Sequence, residues 1–361
     1  MATRRAARPS ILDVARAAGV SVGTVSNAIN HPDRVRPGTR VRVEAAIAEL
    51  GFVPNVPAQR LRSGTMAALG VVVLDVRNPF FTEMARGIED RIQALGWTLM
   101  LASSDQQVER ERRALELLTG HGVAGLIVVP ASDDVSALLE LGARGTPAVL
   151  LDHPSPAADL PSVAVDNMAG GRMAVRHLLD LGKRHIVMLN GPHAIRQCRD
   201  RWDGARLAAD RAEKAQPERE RPEKVRVEEV LLEEVLVESM DVVGGSQAMA
   251  QWLAVHAGVP PEAVFCVNDL VAIGAARALR AAGMDPAATA IVGYDNSELG
   301  REVAVPLTSV AQPTYEMGWR AADLLVRTQG AAGGSPPAAQ HVMFQPSLIV
   351  RESTAGPAVA R

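Results

Sequence analysis

The chain is poor in the residues that mark several classes of protein. Aromatic residues make up 3% of its 361 residues, and the two cysteines are Cys198 and Cys266. The cysteines are far apart and have no metal-ligand pattern around them, so we expect a reduced cytoplasmic protein without a metal site. The sequence also lacks an apolar run of membrane-spanning length and the apolar segment of a signal peptide.

Enzyme motifs are absent as well. We find no P-loop, no G-x-G-x-x-G after a first strand, no G-x-S-x-G elbow and no metal-binding spacing of His, Cys and acidic residues. We therefore predict no catalytic residues and no cofactor. The alternative is an enzyme with an α/β body, and turnover of a ligand by the protein would support that interpretation.

Charge is distributed unevenly along the chain. Residues 1–64 contain ten arginines, no lysine and four acidic residues, a net charge of +6, whereas the remainder carries −9. A small basic module on a larger acidic body indicates that one end of the protein meets a polyanion.

Capping residues and apolar spacing predict three helices in the basic module: 11–18, 22–30 and 39–50. Ser10 and Ser21 are the expected N-caps of the first two, and Gly19 supplies the positive φ of the turn between them. Two short helices joined in this way predict a helix-turn-helix, whose second helix lies in the major groove of DNA.

The second helix has a small and polar surface, as close contact with base pairs requires. The residues placed to meet bases are Val22, Gly23 and Asn27, and those suited to phosphates are Ser21, Thr24, Ser26 and Asn30. Asn27 can form two hydrogen bonds with an adenine. Gly23 has no side chain, so it allows the DNA to come close to the helix but contributes little to base recognition. The alternative is that the hydroxyl groups only cap and solvate the helix.

The residues that follow support a specific resemblance. The phrases V-A-x-x-A-G-V-S, T-V-S-x-x-I-N and A-I-x-E-L-G-F-x-P-N occur intact between Val14 and Asn55. This stretch resembles the DNA-binding segment of the lac repressor family (LacI/GalR) of bacterial transcription regulators. The resemblance implies that residues 55–64 form a hinge helix, paired in a dimer, that enters the minor groove through Ala58, Leu61 and Arg62. Leu61 would be a wedge between base steps; the alternative is a core residue of a linker.

From Ala67 onward, short apolar runs alternate with amphipathic segments, and a second such series begins near Asn167. The alternation predicts an α/β body of two parallel-sheet lobes with a cleft between them. Ligands in such folds bind beyond the carboxyl ends of the strands.

Candidate ligand contacts follow the predicted strands: Phe80, Phe81, Asp152, Arg201, Asn268 and Asp295. These donors and acceptors suit a hydroxyl-rich ligand. Alternatives remain open at this point: the two Phe residues can pack in the core, and Arg201 with Asp295 can form an ion pair between the lobes. We interpret the neighbouring Asp269 as a helix N-cap rather than a ligand contact.

The resemblance extends through the body, in the segments NPFF, GLIVVPAS, VFCVND, IVGYDN, PLTSVAQP and LIVREST. It implies a periplasmic-binding-protein-like fold whose effector faces the six candidate residues. The expected domains are a DNA-binding domain (1–54), a hinge (55–66) and an effector-binding and dimerisation domain (67–361). The implied function is a repressor that binds operator DNA under the control of a small molecule. A free solute-binding protein and a constitutive DNA binder are the alternatives.

Two segments depart from the family pattern. Residues 209–243 are rich in charge, and we expect a surface loop leading into a strand. Met240 aligns where relatives often place an aromatic residue that stacks on the effector, which weakens the assignment of a planar purine. The polar residues at the strand ends, with the flanking Phe residues, favour a sugar or sugar derivative over a nucleobase. After Thr354 no leucine heptad follows, so a dimer is expected, not a tetramer.

Overall fold

The computed structural model describes residues 9–30, 34–52, 68–214, 230–284, 289–330 and 339–355. The chain divides into two compact units, Met1–Met66 and Ala67–Arg361. The predicted hinge helix, with Ala58, Leu61 and Arg62, lies outside the described residues.

The first unit contains three helices: α1 (Ile11–Ala18), α2 (Val22–Asn30) and α3 (Pro37–Leu50). Ser10 caps α1 as predicted, and Gly19 has a φ of 66° in the turn. The helix α3 begins at Pro37, two residues before the predicted start, because the fixed φ of proline suits the first helical position. A small buried core holds the three helices together: Val14, Ala15, Ala18, Val25, Ala28, Val43 and Ala46.

The body consists of two lobes, each built around a six-stranded sheet. The N-terminal lobe contains β1 (Ala68–Val73), β2 (Thr98–Ser103), β3 (Leu126–Val128), β4 (Ala148–Leu151), β5 (Ser162–Val165) and β11 (His341–Phe344). The C-terminal lobe contains β6 (His185–Asn190), β7 (Leu231–Leu236), β8 (Ala263–Cys266), β9 (Ala290–Asp295), β10 (Thr308–Ala311) and β12 (Ser347–Ile349). The strand orders β2-β1-β3-β4-β5-β11 and β7-β6-β8-β9-β10-β12 correspond one to one. All neighbours are parallel except β12, which is antiparallel to β10.

Helices cover both faces of each sheet. In the N-terminal lobe they are α4 (Pro79–Gln93), α5 (Val108–Gly120), α6 (Ser136–Ala143) and α12 (Thr314–Gly330). In the C-terminal lobe they are α7 (Asn167–Asp180), α8 (Arg196–Lys214), α9 (Val242–Val255), α10 (Asp269–Ala281), and the short α11 (Glu298–Glu302) and α13 (Glu352–Ala355). The chain crosses between the lobes three times, after β5, β10 and β11. The predicted fold class is confirmed.

Glycines allow the helix pairs to cross in close contact. A Cβ atom on Gly171 of α7 would lie 2.0 Å from the carbonyl oxygen of Arg201, and one on Gly204 of α8 would lie 2.0 Å from that of Met168. The same reciprocal contact joins α4 to α12 through Gly87 and Gly318, and α9 to α10 through Gly245 and Gly274. Both lobes therefore use the same packing device.

The charge-rich segment 209–243 is more regular than predicted where it is described. The helix α8 continues to Lys214, and β7 follows at Leu231–Leu236. The prediction of a loop beginning at residue 209 is therefore wrong, whereas the predicted strand is present as β7. Residues 215–229 lie outside the described residues.

Candidate functional sites: the inter-lobe cleft and the second helix

A cleft lies between the lobes at the carboxyl ends of their strands. The six candidate residues all line it: Phe80, Phe81, Asp152, Arg201, Asn268 and Asp295. Residues that the sequence interpretation missed also line it, among them Asp75, Asn78 and Gln197. The topology thus brings together side chains that are more than 200 positions apart.

Asp152 follows β4 and is linked across the cleft to α8. The Nε2 of Gln197 donates to the Asp152 carbonyl oxygen at 2.6 Å and to its Oδ2 at 3.0 Å. Two buried acceptors remain without a hydrogen-bond partner, Asp152 Oδ1 and Gln197 Oε1. Burial raises the pKa of Asp152 to about 7, although the positive charge of Arg201 opposes the shift.

Asp295 occupies the corresponding position at the end of β9 in the other lobe. Its Oδ1 accepts from Gln312 Nε2 at 2.9 Å, and its Oδ2 accepts from Asn78 Nδ2 of the N-terminal lobe at 3.4 Å. Burial raises the pKa of Asp295. Both Asp152 and Asp295 have a positive φ, 54° and 96° respectively, a conformation that Asp and Asn tolerate better than most residues.

Arg201 lies beneath the cleft and is 5% exposed. Its Nε donates to Asn167 Oδ1 at 2.8 Å and its Nη1 to the Val267 carbonyl at 2.6 Å. Its guanidinium carbon lies 3.6 Å from the centre of the Tyr294 ring. Arg201 and Asp295 both belong to the C-terminal lobe, so the alternative of an ion pair between the lobes is wrong. The guanidinium is held within its own lobe instead.

The capping residue of α10 is Asn268, not Asp269 as predicted. Asn268 Oδ1 accepts from the Val271 amide at 2.8 Å, and its Nδ2 donates to the Met240 carbonyl at 3.0 Å. Asp269 is the first helical residue, and its carboxylate accepts from Ser297 and Ser309. Asp269 therefore holds the segment after β9 through Ser297, and it is not among the residues that line the cleft.

Both lobes contribute apolar residues to the cleft, and both of its aromatic rings belong to the N-terminal lobe. Phe80 and Phe81 meet edge to face, with ring centres 5.1 Å apart. They are 5% and 6% exposed, and they line the cleft while belonging to the core. The two alternative interpretations are thus compatible. Met240 also lines the cleft, with its sulfur 3.6 Å from that of Cys198.

A second group of contacts joins the lobes beside the cleft. Asp133 of the N-terminal lobe accepts from Arg199 of α8 at 2.7 Å and lies 3.0 Å from His153 Nε2. Hydrogen bonds from Arg199 and His153 outweigh the effect of burial and lower the pKa of Asp133. Arg77 connects the lobes similarly, with 3.5 Å between its Nη1 and Asp241 Oδ2.

In the first unit, α2 presents Gly23 and Asn27 as exposed residues four positions apart, and hence on one face. Val22 is half-buried. A Cβ atom on Gly23 would meet nothing nearer than Ser21 Oγ at 3.8 Å. Ser21 Oγ accepts from the Thr24 amide at 3.1 Å and bonds the Thr24 hydroxyl at 2.8 Å, so both are engaged in capping. Thr24 and Ser26 are half-buried, and the side chain of Asn30 lies outside the description.

Two features are absent from the described part of the chain. No group of three or more His, Cys, Asp or Glu residues there is arranged to hold a metal ion. None of the helices there has the length and apolar character needed to span a membrane.

One missed residue carried a signal in the sequence. Gln197 stands four positions before Arg201, so both lie on one face of α8. The contributions of Asn78 and Gln312 had no such signal, because each depends on contacts made through the fold.

A three-helix unit with an exposed second-helix surface, in one chain with a two-lobed body and a polar cleft, defines a ligand-responsive DNA-binding regulator. Residues 10–55 match the lacI family of bacterial regulatory proteins, and residues 69–332 match the periplasmic binding protein domain. The transcriptional regulator DegA of Bacillus subtilis (strain 168) is 32% identical over 352 residues, covering 96% of this chain and 98% of DegA. The chain belongs to the LacI family and is a transcription regulator, not an enzyme. The resemblance seen in the sequence is confirmed.

Solved structures agree with this assignment. The lac repressor dimer bound to operator and the anti-inducer ONPF is similar with a TM-score of 0.71 and 28% identity, over 96% of this chain and 99% of that one. The complex of the transcriptional regulator CelR with cellobiose is similar with a TM-score of 0.65 and 30% identity, over 96% and 100% of the two chains.

Proposed function

We propose that the protein is a cytoplasmic repressor that binds operator DNA as a dimer. A sugar-like effector that enters the cleft raises or lowers its affinity for the operator. The observation that carries the effector class is the pair of unpartnered buried acceptors, Asp152 Oδ1 and Gln197 Oε1, beside the rings of Phe80 and Phe81. Buried acceptors without partners are costly, and sugar hydroxyls would satisfy them.

In this proposal Val22, Gly23 and Asn27 face the bases, with phosphate contacts from the remaining polar residues of α2: Ser21, Thr24, Ser26 and Asn30. The exposed pair Gly23 and Asn27 supports it, because close approach at Gly23 lets Asn27 reach a base edge. The domains are 1–54 for DNA binding, 55–66 for the hinge and 67–361 for effector binding and dimerisation.

The coupling between the two sites follows from linkage. An effector that favours one arrangement of the lobes alters hinge pairing and operator affinity, and the operator alters effector affinity by the same factor. The lobe contacts at Asp152 and Asp295 are the ones that an effector in the cleft would rearrange.

The test is a selection of bound sequences from random duplexes by the full-length protein, with and without candidate sugars. We expect a near-palindromic site whose recovery changes with one sugar; the sign of the change distinguishes induction from co-repression. Protein that binds all sequences equally at physiological salt would refute the proposal.

The hinge is tested with Leu61→Ala. Loss of the wedge is expected to weaken binding to the selected operator by roughly 10- to 100-fold while random duplex binding stays unchanged. Leu207→Ala, at an exposed position of α8, is the matched control. Equal losses on both DNAs would exclude the wedge role.

A further inference from the structure

One pair of side chains joins the lobes inside the cleft, away from solvent. Gln197 belongs to the first turn of α8 in the C-terminal lobe, and Asp152 follows β4 in the N-terminal lobe. Both residues line the cleft, and they are 4% and 3% exposed respectively. The Nε2 of Gln197 donates to the Asp152 carbonyl oxygen at 2.6 Å and to its Oδ2 at 3.0 Å. A single amide of one lobe therefore holds a backbone atom and a carboxylate of the other.

The other polar contacts between the lobes are longer or more exposed. The ion pair of Arg199 with Asp133 measures 2.7 Å, but its side chains are 33% and 46% exposed. The inter-lobe ion pair of Arg77 spans 3.5 Å, and the arginine side chain is 66% exposed. The hydrogen bond from Asn78 to Asp295 is long, at 3.4 Å. Exposed ion pairs contribute little to the free energy, and hydrogen bonds weaken as they lengthen, so the buried amide contact is the strongest of these polar contacts.

Both partners of this contact are anchored in their own lobes. The backbone amide of Asp152 donates to the Val163 carbonyl at 2.8 Å, which fixes Asp152 against the neighbouring strand. Gln197 is the second residue of α8 and is carried by that helix. A donor and an acceptor about 3.6 Å apart no longer form a hydrogen bond. A displacement of the lobes by about 1 Å at this point therefore breaks the contact.

The same amide also has an unused acceptor. Gln197 Oε1 is buried and has no hydrogen-bond partner, and a buried acceptor of this kind favours any donor that reaches it. The orientation of the amide is set, because a flipped amide would place Oε1 against two oxygens of Asp152. A molecule in the cleft that donates to Oε1 therefore contacts the side chain that joins the lobes.

We infer that Gln197 is a positioning residue: its contact with Asp152 favours one arrangement of the lobes and thereby sets the affinity for operator DNA, with or without an effector. A contact that is present in only one of two arrangements shifts the equilibrium between them by its own free energy. The inference rests on the proposed function, since it requires that the arrangement of the lobes controls operator binding.

The test measures the Kd of full-length variants for the selected operator at pH 8, with no sugar present. Burial raises the pKa of Asp152 to about 7, so its carboxyl group is ionised at this pH. Gln197→Met keeps the size of the side chain and removes both hydrogen bonds, so we expect Kd to change by roughly five- to tenfold. Gln197→Glu places an acceptor against two oxygens of Asp152, and Kd should change further in the same direction. That direction shows whether the joined arrangement is the one that binds the operator.

A double variant and a matched glutamine test the assigned partner. When Gln197→Glu is combined with Asp152→Asn, the new amide can donate to the new carboxylate, so the change in Kd is expected to fall to that of Gln197→Met or below. Gln251, an exposed residue of α9, is the control, and Gln251→Met and Gln251→Glu should alter Kd by less than about twofold. Binding to random duplex should stay unchanged in every variant, because the helix-turn-helix is intact.

The outcomes separate the two claims. Gln197 variants that melt at a lower temperature but bind the operator as the unmodified protein does would show a purely structural role and overturn the inference, while the proposed function would stand. A double variant that recovers nothing would overturn Asp152 as the partner. Protein with no preference for any DNA sequence would overturn the proposed function itself. Gln197→Asn, whose side chain is too short for the contact, takes the place of a variant that does not fold.

Discussion

The two lobes share one strand order but supply different chemistry to the cleft. Each lobe contributes both apolar and polar residues, but the two aromatic rings, Phe80 and Phe81, lie on the N-terminal lobe, whereas the positive charge of the described lining, Arg201, lies on the C-terminal lobe. Topology explains why equivalent strand ends meet at the cleft, since parallel strands end on one side of each sheet. It does not explain what each end carries. Repeated architecture thus provides the frame, and individual side chains decide on which lobe the aromatic rings and the positive charge lie.

Packing should be the property that the lobes share most closely. Gly204→Ala in the C-terminal lobe and Gly318→Ala in the N-terminal lobe each place a Cβ atom 2.0 Å from a backbone carbonyl oxygen, of Met168 and Met84 respectively. Each substitution is expected to lower the free energy of unfolding by about 3 kcal/mol or more, because the helices must separate. Urea unfolding measures this. Gly142→Ala, in α6, where a Cβ atom would meet nothing within 4 Å, is the control, and tolerance of only one of the two substitutions at the helix crossings would break the equivalence.

The polar contacts of the C-terminal lobe should depend on Arg201. Arg201→Met leaves the acceptors on Asn167 and Val267 without this donor, so we expect a loss of about 2–3 kcal/mol. Arg206→Met on the exposed face of α8 should change stability by less than about 0.5 kcal/mol. Thermal unfolding of both variants tests this. Equal melting temperatures would show that the hydrogen bonds of Arg201 do not stabilise the folded protein.

The acid on the N-terminal lobe should make stability depend on pH. Burial raises the pKa of Asp152 to about 7 in the folded protein, against about 3.9 in an unfolded chain. Between these values the folded state binds the extra proton, so the free energy of unfolding falls by up to about 1.4 kcal/mol per unit as pH rises. Asp152→Asn is expected to reduce this slope in urea unfolding between about pH 4 and 7, leaving the part contributed by Asp269, whose pKa burial also raises to about 7. Asp180→Asn, at an exposed carboxylate of α7, is expected to preserve the slope. A slope that Asp152→Asn leaves unaltered would contradict the assignment.

The smallest expected effect concerns the contact beside the cleft. Asp133→Asn weakens the ion pair with Arg199, whose partners are 46% and 33% exposed, so a loss of about 0.5–1 kcal/mol is expected at low salt and less at high salt. Thermal unfolding at both salt concentrations gives the comparison. A loss that does not shrink with added salt would mean that the contact acts through packing.

Much of this architecture was predictable from short-range patterns. The caps Ser10 and Gly19, the alternation of apolar runs with amphipathic segments and the polar residues after β4, β8 and β9 are all local signals. The errors arose where a neighbour in space decided the outcome. Asp269 follows a strand as a cap would, but Asn268 takes that role while Ser297 and Ser309 bind the Asp269 carboxylate.

The order of residues alone determined the two-unit organisation, the helix-turn-helix and the paired α/β lobes, because periodicity and capping act within a few positions of the chain. Tertiary structure decided which acceptors stay unpartnered in the cleft, how Arg201 is occupied and where the lobes touch. Those features depend on atoms brought together from distant segments, as when Asn78 reaches Asp295 across 217 positions, and no local pattern encodes such a distance.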